Sequence, residues 1–142
     1  SSLVTDYSLA DLDKVTIERT GETYVLTREE TEVKKGDSEK TTTETKYYLN
    51  DEEIQYEEIS DFYSKVSGLE WQSMTEGQNG ENAEITITFE KEGGIQDKVA
   101  YYSYDENFYL VTKTDGSQML VNKMKVREMI EAFDRMIENW KK

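Results

Sequence analysis

The feature that most constrains this sequence is the run from Ala83 to Asn122, where strand patterns follow one another with almost no slack. Ile85, Ile87 and Phe89 alternate with Glu84, Thr86, Thr88 and Glu90. Side chains flip sides at every residue of a strand, so this spacing gives one apolar and one polar face. Gly93-Gly94 ends the run, Val99 to Tyr104 supplies a second, Phe108 to Thr114 a third, and Met119 to Val121 a short fourth across Asp115-Gly116. Glycine accepts the positive φ of tight turns, so these dipeptides between β-branched and aromatic runs signal hairpins. The stretch predicts an antiparallel meander.

Upstream, Ser1 to Asp13 reads as an entry arm with scattered Leu3, Val4, Tyr7, Leu9 and Leu12. Val15 and Ile17, a turn at Thr20-Gly21-Glu22, and Thr23 to Arg28 then make a hairpin. Glu29 to Lys46 is nearly all charge and threonine. Thr41, Thr42 and Thr43 favour extended backbone, which predicts a long solvent-facing hairpin arm turning at Gly36-Asp37-Ser38 and ending in Tyr47, Tyr48 and Leu49. After a turn at Asn50-Asp51, Ile59, Phe62, Tyr63, Val66 and Leu69 step as one face of a helix, Glu57 to Ser67, with Gly68 as a left-handed cap. Leu69 to Met74, with Trp71, reads as a short strand, and Thr75 to Asn82 has the composition of a mobile loop. Downstream, Val126, Met129, Ile130, Phe133, Ile137 and Trp140 form the apolar stripe of a second helix over Lys123 to Asn139. Asn122 stands as its N-cap, and Glu131 with Arg135 as an i,i+4 ion pair.

The chain of 142 residues reads as a single domain, 1–142, of α+β class: antiparallel meander sheets with two helices packed on one face. Two halves resemble each other, 14–74 and 83–142. Val15-Thr-Ile-Glu parallels Ile85-Thr-Ile-Thr, Tyr48-Leu49-Asn50 parallels Leu120-Val121-Asn122, and Ile59, Phe62, Val66 and Trp71 parallel Ile130, Phe133, Ile137 and Trp140. The expectation is an internal repeat of meander plus helix.

Composition narrows the chemistry. The net charge is -14, a field that repels phosphate backbones and anionic lipid, so no nucleic-acid partner is expected. Cysteine and histidine are both absent, which removes thiolate nucleophiles and metal sites, the commonest general base and the commonest transition-metal ligand. No apolar run is long enough to span a membrane. The first residue is Ser1, from which a trimmed fragment is expected, with a leader, anchor or further domain upstream.

Carboxylates are plentiful, but Glu29-Glu30, Asp51-Glu52-Glu53, Glu57-Glu58 and Asp105-Glu106 fall in turns or on outward helix faces. An acid-dependent hydrolase would instead need a facing pair with one carboxyl in an apolar setting. Asp105-Glu106-Asn107 and Asp115-Gly116-Ser117 offer hard oxygens for calcium, yet both stand where hairpins need turn residues. No phosphate-binding loop or nucleophile elbow occurs. No catalytic, cofactor or metal residue is assigned, and no enzyme is expected. Tyr101, Tyr102, Tyr104 and Tyr109 must divide between the two faces of the sheet. Half-exposed tyrosines make good contact residues, so these four are the candidate partner-binding residues. Lys123, Lys125 and Arg127 form the main basic cluster.

The pattern Phe108-Tyr109-Leu110-Val111, Asp115-Gly116, Leu120-Val121-Asn122, then Val126 and the Ile130 to Ile137 helix resembles the domain of unknown function 4340 family. The earlier Ile59, Phe62, Tyr63, Val66, Leu69 helix followed by Trp71 is similar to that family's preceding helix. The resemblance implies a bacterial extracytoplasmic, cell-envelope-associated protein behind a lipoprotein signal or a single membrane span, and it carries no catalytic residues. The long acidic arm departs from the family pattern. The functional expectation is a non-catalytic binding or accessory module with a protein partner in the envelope. The alternative is a small-ligand or peptide carrier with an apolar cavity between sheet and helices.

Overall fold

The alternation read from the sequence becomes one nine-stranded antiparallel sheet in the computed structural model, which describes residues 1–36 and 39–142. After one 3-10 turn (Leu9–Asp11) come β1 (Leu12–Arg19), β2 (Glu22–Lys34), β3 (Thr41–Leu49), β4 (Glu52–Ile54), α1 (Tyr56–Ser67), β5 (Trp71–Thr75), β6 (Ile85–Lys91), β7 (Gln96–Ser103), β8 (Phe108–Thr112), β9 (Gln118–Asn122) and α2 (Lys123–Trp140). The spatial order is β4-β3-β2-β1-β6-β7-β8-β9-β5. The fold is α+β.

The tight turns follow backbone chemistry. Thr20 and Gly21 both take positive φ, as do Asn50 and Asp51, the combination that two-residue hairpin loops need to match strand twist. The charged arm is a hairpin, paired from Leu26↔Leu49 out to Lys34↔Thr41. Of its expected turn, Asp37 and Ser38 lie outside the described residues. The three-residue β4 has no counterpart in the sequence reading. It pairs only with the last three residues of β3, Tyr47↔Ile54 to Leu49↔Glu52.

Outward from the central β1–β6 seam the sheet runs β1-β2-β3-β4 on one side and β6-β7-β8-β9 on the other, with β5 added beyond β9. Each series is followed by a helix. β4, not β3, is the fourth strand outward on its side, as β9 is on the other, so the expected match of Tyr48-Leu49-Asn50 with Leu120-Val121-Asn122 is not found. Trp71 lies on strand β5 while Trp140 closes α2, so that correspondence does not hold.

Both helices cover one face. α1 buries Ile59, Phe62, Tyr63 and Val66, and α2 buries Val126, Met129, Ile130, Ala132, Phe133, Met136 and Ile137. Phe133 is the hub. Its ring centroid is 5.1 Å from that of Phe62 and 5.4 Å from that of Tyr24, both edge-on, the geometry that sets a ring's positive edge against a negative face. The capping follows from residue type: Asn122 Oδ1 accepts from the Lys125 N–H, and Gln55 and Glu58 form a capping box on α1. Gly68 is not left-handed; it caps α1 at φ -90°. A Cβ there would meet the Ser64 carbonyl oxygen at 3.0 Å, so close approach accounts for the glycine. Arg135 reaches Asp61 on α1 at 3.4 Å, across the helix pair instead of along α2 to Glu131.

The entry arm is built into the core. Val4 is buried, its N–H donates to the Leu69 carbonyl and the Trp71 N–H donates to the Ser2 carbonyl. The segment after β5 must return from the sheet edge to the seam. It crosses the face opposite the helices, where the position of a Gly77 Cβ lies 3.3 Å from both Leu110 and Tyr104. Leu110, wholly buried, is the apolar residue this crossing covers.

Candidate binding groove

Strand alternation decides the fate of the four expected contact tyrosines. Tyr101 and Tyr109 point under the helices and are buried, which removes them from any contact surface. Tyr102 is half-buried and Tyr104 is exposed on the opposite face, beside the 75–82 crossing. The four do not form one patch. Tyr109 instead donates to Glu84 Oε2, at a cleft of about 120 Å³ shared with Arg19, Arg127 and Asp134. Arg19 grips both Asp134 oxygens through Nε and Nη2, at 3.1 and 2.9 Å, and donates from Nη1 to the Glu84 carbonyl. These charges answer one another and clamp α2 to the sheet. Burial first, then the bond to Glu84, pushes the Tyr109 hydroxyl up to about 12.

A different set of tyrosines is brought together. Tyr7 from the entry arm, Tyr47 from β3, and Tyr56 and Tyr63 from α1 line an open groove of about 460 Å³. Tyr63 enters it from the apolar stripe of α1, and its hydroxyl donates to the Tyr7 carbonyl at 2.6 Å. Tyr7 lies on the Phe89 ring, centroids 5.1 Å apart, with Lys91 Nζ 4.8 Å from the Tyr7 centroid. Its hydroxyl donates to Asp97 Oδ2 at 2.7 Å, and Asp97 faces Lys113 Nζ at 3.6 Å. Burial first, then that bond, pushes Tyr7 up to about 12. Burial likewise raises Tyr47 and Tyr63. The hydroxyls of Tyr7 and Tyr63 are anchored, and burial holds Tyr47 in place beside them. Tyr56 is the exception: 53% exposed, it stacks obliquely on Tyr47 at 5.9 Å. Ser60, Ser64 and Ser67 form the floor, each donating to a carbonyl of its own helix, which leaves their oxygens able to accept.

Tyr47 and Tyr56 also border a second groove of about 380 Å³, lined by Glu44, Thr45, Lys46, Glu53, Ile54, Gln55 and Glu57. The two grooves meet at this aromatic pair. The sequence reading missed the set because its members come from three separated segments, the entry arm, β3 and α1. The available signal was Tyr56, an aromatic three residues before Ile59 and seven before Tyr63, which extends the α1 stripe by one turn.

Asp105 Oδ1 accepts from the Asn107 and Phe108 N–H groups, and Asp115 Oδ1 from the Ser117 N–H and hydroxyl, so one oxygen of each aspartate is used to hold its turn. Among the described residues no group of three or more acidic side chains is placed to hold a metal ion, and the buried polar side chains are Thr5 and Thr86. The space between sheet and helices, where a carrier would hold cargo, is occupied by Phe62, Phe89, Phe133, Tyr101 and Tyr109. Among the described residues no helix is long and apolar enough to cross a membrane.

No family model matches this chain, and neither a curated protein nor a solved structure matches it.

Proposed function

We propose that the chain is a non-catalytic binding module that holds a segment of a protein partner against the tyrosine wall of Tyr7, Tyr47, Tyr56 and Tyr63. One observation carries this reading: four tyrosines from three segments, the entry arm, β3 and α1, converge on one open groove, three of them largely covered while Tyr56 stays exposed to a ligand. Rigid amphipathic rings give large contact area at little cost in side-chain entropy, which is why tyrosine dominates binding surfaces. The bacterial envelope setting, with an anchor upstream, rests on the resemblance to the domain of unknown function 4340 family alone.

Photo-crosslinking from benzoylphenylalanine at position 56, with position 124 as the exposed control, tests the proposal. A partner captured from position 56 alone, whose binding in purified form weakens about tenfold on Tyr56→Ala, supports it. Equal capture from both positions, or binding that Tyr56→Ala leaves unchanged, overturns it.

A further inference from the structure

The edge of the sheet beside this groove is unfinished. β3 pairs with β2 along its whole length, but with β4 only at Tyr47 to Leu49, because the chain leaves the sheet at Ile54 and Gln55 caps α1. Antiparallel strands send successive backbone groups to opposite sides. The Asn50 N–H donates to the Val25 carbonyl of β2, so the even-numbered residues of β3 face β2. Leu49 and Tyr47 face β4, and Thr45, Thr43 and Thr41 face outward in the same series. Their N–H and C=O groups have no strand partner among the described residues. The other edge of the sheet differs, since Ser2 and Val4 already bond to Trp71 and Leu69 there.

We infer that Thr41–Thr45 of β3 is a docking edge for an extended, lysine- or arginine-rich segment of a partner protein, which adds a strand in line with β4 and runs on over Tyr47 and Tyr56. This rests on the binding-module reading and names the partner's chemistry. Two observations select a basic, extended occupant. The groove at the inner end of this edge, reached from Glu44 and Thr45, carries Glu44, Glu53 and Glu57 against Lys46 alone, on a chain of net charge -14. The vacant backbone row repeats every second residue, a spacing that only an extended chain matches. A second copy of this chain would bring the same negative charge to the same edge.

The probe is a blocked octapeptide alternating lysine and valine, titrated into the isotope-labelled protein at low ionic strength and compared with its glutamate-for-lysine analogue. Slowed amide exchange at Thr41, Thr43 and Thr45 but not at Thr42 and Glu44, loss of binding by about tenfold or more on Thr43→Pro, and no binding of the analogue are expected. Thr43→Pro removes an outward N–H and leaves the ladder to β2 intact, so the variant's circular dichroism and thermal midpoint are measured beside it to show that it folds. The edge reading fails, and the groove reading stands, if the peptide binds with dependence on Tyr56 but not on Thr43→Pro. Both fail if exchange at the threonines is unmoved and neither substitution matters. Dimerisation through this edge in sedimentation, abolished by Thr43→Pro, would replace the partner with a second copy and overturn the assignment.

Discussion

Tyr101→Phe separates what a buried ring contributes from what its hydroxyl costs. Tyr101 is fully buried on β7, and its hydroxyl has no hydrogen-bond partner among the described residues. Burial, then the nearby Asp97 charge, raises its pKa, as expected of a hydroxyl removed from water. Such an unpaired group costs about 1 to 3 kcal/mol. Deleting the oxygen opens a void on the order of 15 Å³, which at about 24 cal/mol per Å³ returns only ~0.4 kcal/mol of that cost. Phenylalanine should therefore stabilise the fold by about 1 to 2 kcal/mol, a rise of roughly 3 to 8 °C in Tm for a chain of this size. Guanidinium unfolding with unchanged slope is the assay, with Tyr109→Phe beside it. There the same deletion breaks a bond to Glu84, and the expected sign is opposite, a loss of about 1 kcal/mol. If Tyr101→Phe destabilises as Tyr109→Phe does, the Tyr101 hydroxyl is paired and the reasoning is wrong.

Four further expectations follow from the same structure. Asn122→Ala removes the acceptor for the Lys125 N–H and should lower stability by about 1 kcal/mol in denaturant melts. Leu110→Ala, beneath the 75–82 crossing, should cost about 2 to 5 kcal/mol and speed amide exchange in that segment more than in α1. Tyr7, Tyr24 and Tyr109 are raised from 10.0 to about 12. Their contribution is whole below pH 10, where the tyrosines of the unfolded chain are still neutral, and is lost as pH climbs from 10 towards 12. Absorbance of tyrosinate and circular dichroism should change together in that window. At the acid end, Glu22, Asp61 and Asp115, lowered by hydrogen bonds from Tyr24, Lys65 and Ser117, stabilise above the ordinary carboxylate range. That contribution fades as pH falls through their depressed values.

What the sequence discloses here is whatever a single element decides. Ile85-Thr-Ile-Thr-Phe and the stripe from Val126 to Ile137 bury one side each, and period alone finds them. Asn122 as a cap and the turns at Thr20-Gly21 and Asn50-Asp51 are likewise local. β4 escaped because Glu52-Glu53-Ile54 is too short to show a period and exists only by pairing with the end of β3. Gly68 escaped because its reason, the Ser64 carbonyl, is a matter of packing. Alternation says that the two faces differ but not which one the helices take, so it cannot separate the buried Tyr101 and Tyr109 from contact residues. Tyr7, Tyr47, Tyr56 and Tyr63 meet only after the entry arm, an edge strand and α1 have been placed, so no window of sequence contains their groove.

The central seam has a kinetic consequence. Ile17 pairs with Ile87, so β1, paired on one side with β2, keeps an unpaired backbone edge until β6 exists and finds it. During synthesis the first half must wait, with Val15 and Ile17 only partly covered, while the rest of the chain emerges. Closing so long a loop is the step expected to be slow. Refolding should fall in the millisecond-to-second class of β-rich domains, and substitutions at the seam should retard refolding more than equal truncations in α2.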